Sequence, residues 1–143
     1  KIKPKIVCCL YPTAVFIEKE DLQKAMKNID FLKSQNFVIS AVKYTPPIQR
    51  ALKIDQKTGL SYMQYPENFK KRTQDLDDSY HDAGQFYCAN AKTWLSKKNI
   101  FEGCKLCFIN SVFVQDIDTE EDWLKAELLY SVMQSKDHLF ISE

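Results

Sequence analysis

The chain predicts an α/β fold. A continuous apolar run, Ile6-Val7-Cys8-Cys9-Leu10, is followed by a helical stripe and then by a β-rich run over 37–44. That is the strand–helix–strand order of a βαβ unit, whose crossover is right-handed. A second passage of the same kind comes late. A mostly apolar run over 106–114 leads through Gln115-Asp116-Ile117-Asp118-Thr119 into a helix over 119–133.

Each element has a local reason. The run over 6–10 carries no polar alternation, as expected of a parallel strand buried on both faces. Tyr11-Pro12-Thr13-Ala14 breaks it. Leu22, Ala25, Met26, Ile29 and Leu32 then fall on one helical stripe across 19–34. Pro46-Pro47 ends the unit. The runs 48–54 and 60–65 flank Asp55-Gln56-Lys57-Thr58-Gly59, whose glycine suits a positive φ, so 48–65 reads as a β-hairpin. An isolated hairpin is marginal in water, so its apolar residues Leu52, Ile54, Leu60, Tyr62, Met63 and Tyr65 call for a packing partner. The parent domain and a second subunit are both acceptable acceptors. A polar stretch over 67–82 follows, then a strand over 83–88 and a short helix over 91–96. In the last helix Trp123, Ala126, Glu127 and Tyr130 share a face.

Bulk composition excludes several classes. The 143 residues suffice for one domain with a moderate core. Twenty basic residues stand against 19 acidic ones, so no polyanion partner is implied, and Lys70-Lys71-Arg72 is too short for a nucleic-acid footprint. No apolar segment approaches a membrane span and no signal peptide is visible. The 5 cysteines read as reduced, mostly buried thiols of a cytoplasmic protein. Cys104-Lys105-Leu106-Cys107 has no second pair, and His81 and His138 are distant in sequence, so the spacing reads as plain thiols. Only 3 glycines are present, Gly59, Gly84 and Gly103, and no Gly-rich phosphate loop.

Asp116 and Asp118 carry the chemistry most open to reading. At spacing i, i+2 on an extended backbone their side chains point the same way. Two adjacent carboxylates repel, so the pair calls for a cation or donor. Mg2+, held by one or two carboxylates plus phosphates, fits that description. The competing reading is structural: Asp118 or Thr119 caps the helix, with Glu121 or Asp122 completing a capping box. It leaves Asp116 without a role.

Three motifs in order resemble one family. They are Leu10-Tyr11-Pro12-Thr13-Ala14; Arg72-Thr73-Gln74-Asp75-Leu76 with Tyr80-His81-Asp82-Ala83-Gly84-Gln85-Phe86-Tyr87; and Asp116-Ile117-Asp118-Thr119-Glu120-Glu121-Asp122-Trp123. Together they look like the acylneuraminate (CMP-sialic acid) cytidylyltransferases, with the pseudaminic acid branch most similar. The resemblance covers nearly the whole chain. It implies a Rossmann-like nucleotidyltransferase sheet, Mg2+ dependence and a homodimer with 48–65 as a dimerisation hairpin. It also implies transfer of CMP from CTP to a nine-carbon 2-keto sugar acid, giving CMP-sugar and pyrophosphate, in flagellar or surface glycan synthesis. The family's Gly- and Arg-rich triphosphate loop is absent, and the chain opens on Lys1. Residues 1–143 are therefore expected to be the C-terminal part of such a domain, lacking the N-terminal nucleotide-binding strands. Alone they are expected to be inactive. A catalytically silent remnant that only dimerises is the non-enzymatic alternative, and a synthetase for another nonulosonic acid is the enzymatic one.

The resemblance also implies roles. Asp116 and Asp118 match the family's catalytic metal-binding aspartates. Arg72 and Gln74 match an Arg–Gln pair, and a guanidinium forms a bidentate fork with a carboxylate or phosphate. Tyr11 replaces a glutamine that contacts sugar in the sialic acid enzymes; a phenol cannot reproduce an amide's paired donor and acceptor, so a different sugar is indicated. Thr13 belongs to the same pocket. Gly84 allows close backbone approach, and Gln85 is expected to bind sugar hydroxyls or N-acyl groups. His81 and Asp82 read either as sugar-site residues or as a turn pair before the strand. Strand alternation puts Gln85 and Tyr87 on one face and Phe86 on the other.

Overall fold

The structure is a computed structural model that describes residues 3–28, 30–31, 34–96 and 98–139, with side chains to 135. The chain divides into two compact units, residues 1–41 with 82–143, and residues 42–81. The fold is α/β, as predicted, and its main sheet is mixed.

Among the described residues four strands form the main sheet: β1 (Ile6–Leu10), β2 (Val38–Lys43), β5 (Tyr80–Asn90) and β6 (Lys105–Phe108), in the order β1-β5-β2-β6. β2 and β6 are parallel, with Val38 opposite Lys105. β1 is antiparallel to β5, with Cys8 opposite Cys88. This corrects the expectation of a parallel strand buried on both faces. β1 ends the strand order, and Cys8 and Leu10 are exposed. An apolar run without alternation does not distinguish a central strand from an outer one. The strand–helix–strand order survives, but β5 separates β1 from β2.

α1 (Lys19–Met26) places Glu20 and Asp21 in its first turn and Lys24 in its last, which suits the helix dipole. Ala25 is fully buried, with Leu22 packed nearby. Ile29 and Leu32, expected on the same stripe, lie outside the described residues. Ala25, Val38, Phe86, Cys88 and Cys107 form one core cluster, while Phe37, Ile39, Tyr87 and Ala89 form another. Neighbours on β2 and on β5 alternate between the two clusters, as the pleat requires. Truncating Phe86 to Ala would cost about 3–5 kcal/mol through lost burial and the cavity left behind. α2 (Ala91–Leu95) is capped by Asn90, whose side chain accepts from Thr93 N at 2.9 Å. Trp94 meets Phe37 edge-on at 5.0 Å and donates to the Val7 carbonyl at 3.1 Å.

β6 is shorter than the predicted run over 106–114. It stops at Phe108, and a 3-10 turn occupies Ser111–Phe113. Asn110 is the cause. Its side chain accepts from Val112 N at 3.1 Å and its carbonyl from Phe113 N at 3.2 Å. An asparagine bonding its own following backbone competes with the ladder. β5, conversely, begins at Tyr80, before the predicted start at Ala83.

In the unit of residues 42–81, β3 (Leu52–Ile54) and β4 (Ser61–Met63) pair antiparallel, Leu52 opposite Met63. The hairpin is as expected but with shorter strands, because Ile48–Arg50 forms a 3-10 turn after Pro47. Asp55 builds the loop by accepting from Lys57 N at 2.8 Å and Thr58 N at 3.0 Å. Gly59 follows at φ 72, a conformation in which a Cβ is strained. Arg50 bridges to the Asn68 and Phe69 carbonyls at 3.4 and 3.3 Å and to that of Lys71, tying down the loop after the hairpin.

Candidate functional site

α3 (Glu120–Leu139) follows directly on the paired aspartates. Its start is closed by a reciprocal cap. Thr119 Oγ1 accepts from Asp122 N at 3.2 Å, and Asp122 Oδ2 accepts from Thr119 N at 3.1 Å. Asp122 Oδ2 also receives the Thr119 hydroxyl at 2.7 Å and the Asp118 N–H at 3.4 Å. The Thr119 hydroxyl bond, with support from the Asp118 and Thr119 N–H groups and the charge of Lys125, holds the Asp122 carboxyl below its ordinary range. Of the two capping candidates, Thr119 with Asp122 does the work and the Asp118 side chain does not.

Asp116 and Asp118 are both exposed, with Ile117 half-buried between them. This exposed, half-buried, exposed order falls on a loop and not at the end of β6. Neither carboxylate has a partner among the described residues. Asp118 lines a surface depression of about 600 Å³ with Ile117, Thr119, Glu120 and Trp123. No group of three or more His, Cys, Asp or Glu side chains gathers among the described residues. The pair offers two hard oxygen donors.

A second group of predicted residues converges on the β1–β5 junction. Tyr11 N–H donates to the Gln85 carbonyl at 3.1 Å, continuing the ladder. The Tyr11 ring packs on the Tyr87 ring at 5.2 Å. Tyr87 donates its hydroxyl to Asp82 Oδ2, and Asp82 Oδ1 accepts from Gly84 N at 2.9 Å. Burial foremost, with that hydrogen bond and the Asp82 charge, pushes the Tyr87 phenol well above its ordinary range. Thr13 is half-buried in the turn beyond Tyr11.

Of the two readings open for His81 and Asp82, the turn pair falls away, since both are strand residues of β5. One expectation fails: Gln85 does not share a face with Tyr87. Ser40 Oγ accepts from both Gln85 N and Phe86 N, each at 3.1 Å, and Gly84 sits at φ 62. Successive N–H groups on one acceptor beside a left-handed glycine mark a bulge, which interrupts the alternation. Gln85 is only 2 % exposed and lines a cavity of about 250 Å³ with Phe16, Ile17, Asp21, Lys24 and Asn110. Asp21, itself nearly buried, pairs with Lys24 at 2.9 Å.

Three predicted residues belong to the unit of residues 42–81. Arg72 makes its bidentate fork with Asp75, Nε to Oδ2 at 2.8 Å and a second bond at 3.1 Å. Gln74 is exposed in the 3-10 turn Thr73–Asp75. His81 packs its ring on Tyr44 at 4.6 Å.

Sequence reasoning did not single out Ser40, Asp21 or the Tyr87 hydroxyl. Ser40 and Asp21 carry no local signal, because their partners are remote in sequence. Tyr87 could have been found from the i, i+5 relation to Asp82 only by knowing that a bulge lies between them.

No family model matches the chain. Similarity to individual proteins is clear. Over 129 residues, 90% of its length, the chain is 26% identical to N-acylneuraminate cytidylyltransferase of Escherichia coli O18:K1:H7, covering 30% of that protein. Its stronger matches are in the pseudaminic acid branch. Over 128 residues, 88% of the chain, it is 38% identical to pseudaminic acid cytidylyltransferase of Campylobacter jejuni serotype O:2 and equally to that of serotype O:23/36. The chain spans about half, 54%, of the length of these relatives.

Proposed function

We propose that this chain forms part of a cytidylyltransferase that moves CMP from CTP to pseudaminic acid, releasing pyrophosphate. The observation that carries the reading is the division of labour at Asp116–Asp122. Thr119 and Asp122 satisfy the helix start between themselves, so the carboxylates of Asp116 and Asp118 remain exposed and without partners among the described residues. Structure alone gives the pair no role, and we assign it to the phosphate chemistry of the transfer.

Asp116 and Asp118 would hold Mg2+. The ion would neutralise charge on the triphosphate during the transfer. In that transfer the sugar's anomeric oxygen bonds to the α-phosphorus as the bond to pyrophosphate breaks, and the hydroxyl proton is released. The chain's own part is positioning. Tyr11 offers one hydroxyl to the sugar, and its ring is steadied by Tyr87. Thr13 offers another. Gly84 is in the left-handed conformation, and the space a Cβ would take there has no other atom within 4 Å, which leaves room for a ligand to approach the backbone. Gln85 offers its amide inside the cavity it shares with Asp21 and Lys24. Within the unit of residues 42–81, taken by itself, Arg72 is oriented by Asp75 and keeps donors for a carboxylate or phosphate, and Gln74 and His81 are further polar side chains.

The hairpin supplies the second half of the proposal. Leu52, Ile54, Leu60 and Tyr62 are 62%, 61%, 71% and 53% exposed, too much apolar surface for a freely solvated hairpin. We assign it to contact with a second copy, giving a homodimer.

The test is acceptor choice. The chain is joined to an upstream nucleotide-binding portion and given CTP, Mg2+ and either pseudaminic acid or N-acetylneuraminic acid. Pyrophosphate release is expected with the first and at least about 100-fold slower with the second, the discrimination that mismatched buried polar groups can supply. Equal rates, or release only with the second, would overturn the assignment.

A further inference from the structure

We propose that Cys8 and Cys88 are a redox-sensitive pair, converted by a peroxide or a small disulfide into a cross-strand disulfide between β1 and β5. The two residues stand directly opposite each other in the antiparallel ladder. The ladder's hydrogen bonds show which kind of pair they form. Tyr11 N donates to the Gln85 carbonyl, and Ala91 N donates to the Lys5 carbonyl. Both extend the same register, so the hydrogen-bonded positions of β1 are the odd-numbered ones and Cys8 occupies a non-hydrogen-bonded site. At such sites Cα atoms approach to about 4.5 Å and the side chains are closest, within the span that a disulfide bridges. The sulfurs lie 2.9 Å apart, with Cys88 donating to Cys8.

The two thiols differ in the way an exchange reaction needs. Cys8 is exposed, whereas Cys88 is 1% exposed in the core cluster. The bond from Cys88 lowers the Cys8 thiol, and the same bond together with burial raises that of Cys88. Cys8 is thus the attacking sulfur and Cys88 the resolving one. With hydrogen peroxide, the Cys8 thiolate attacks one oxygen, the O–O bond breaks, and a sulfenic acid and one water result. The Cys88 sulfur then displaces the sulfenic oxygen as a second water, forming the S–S bond. Two thiols lose two electrons and one peroxide gains them. Two of the other three thiols are engaged elsewhere: Cys104 Sγ lies 3.6 Å from the Phe101 carbonyl and Cys107 Sγ 3.8 Å from that of Asp21; Cys9 is the neighbour of Cys8 in β1, and a Cys9 variant controls for it.

The experiment treats the folded 143-residue chain with a slight excess of hydrogen peroxide, then counts thiols and maps tryptic peptides by mass spectrometry. The expected result is loss of the mass of two hydrogens and of two of the 5 thiols, with Cys8 and Cys88 peptides linked and released by dithiothreitol. Cys9→Ser should leave the link intact, and Cys8→Ser should abolish it. Prior unfolding in urea should spread the linkage among all cysteines. A link to Cys9, a Cys104–Cys107 link, oxygen addition at Cys8 with no link, or 5 surviving thiols would each overturn the proposal. The mapping on the unsubstituted chain decides it even if Cys8→Ser does not fold.

Discussion

Asp82 shows how one residue holds several others in place. One carboxylate oxygen accepts the Gly84 N–H and the other the Tyr87 hydroxyl, so the bulge and the ring beneath Tyr11 are fixed through a single side chain. Tyr87→Phe should cost about 1–3 kcal/mol by leaving a part-buried acceptor short of a partner. It also has a pH signature. The Tyr87 phenol is raised in the folded state, so its contribution is complete below the ordinary tyrosine range and is lost as pH rises through and above about 10. Denaturant unfolding between neutral and alkaline pH should show stability falling more steeply in the parent than in Tyr87→Phe. Parallel slopes would remove Tyr87 from the account.

At the scale of elements, the start of α3 separates Asp122, whose carboxylate closes the cap, from Asp118, whose carboxylate caps nothing. Thr119→Ala should lower stability by about 1 kcal/mol through loss of the cap. Asp118→Asn should change stability far less, since its carboxylate caps nothing; thermal melts of the two variants compare them directly. An equal loss in both would return Asp118 to the cap. This helix, the hairpin with Gly59 at its turn, and the start of α1 were legible in the sequence because their determinants are local: a Thr-x-x-Asp box, an Asp-to-Gly loop and an apolar stripe, although α1 stops at Met26, short of the predicted span of 19–34, and Met26 is exposed. What was illegible is non-local. The stop of β6 depends on Asn110 choosing its own backbone over a neighbouring strand, and the place of β1 depends on β5 inserting between β1 and β2. The facing of Gln85 depends on Ser40, a hydroxyl remote in sequence that collects two successive N–H groups. A period-2 pattern carries no trace of such a bulge.

For the molecule as a whole, the site reading was legible by motif and not by physics alone. Spacing suggested the Asp116–Asp118 pair, but Arg72, Gln74, Tyr11 and Thr13 were singled out through resemblance. No helix among the described residues is long and apolar enough to cross a membrane. The proposed reading assigns the exposed hairpin to contact with a second copy of this chain. Sedimentation of a Leu52→Asp, Tyr62→Asp variant should give a monomer where the parent gives a dimer, and an unchanged dimer would move the interface elsewhere.

The central claim is that Asp116 and Asp118 serve phosphate chemistry and not the fold. It is tested most directly by Mg2+-dependent pyrophosphate release from CTP and pseudaminic acid, measured for Asp116→Asn and Asp118→Asn in the chain joined to its nucleotide-binding portion. Each variant should lose on the order of 100-fold or more in rate with its circular dichroism and melting unchanged. Near-normal release in both, under saturating Mg2+, would contradict the account and leave the two carboxylates as surface charges ahead of a capped helix.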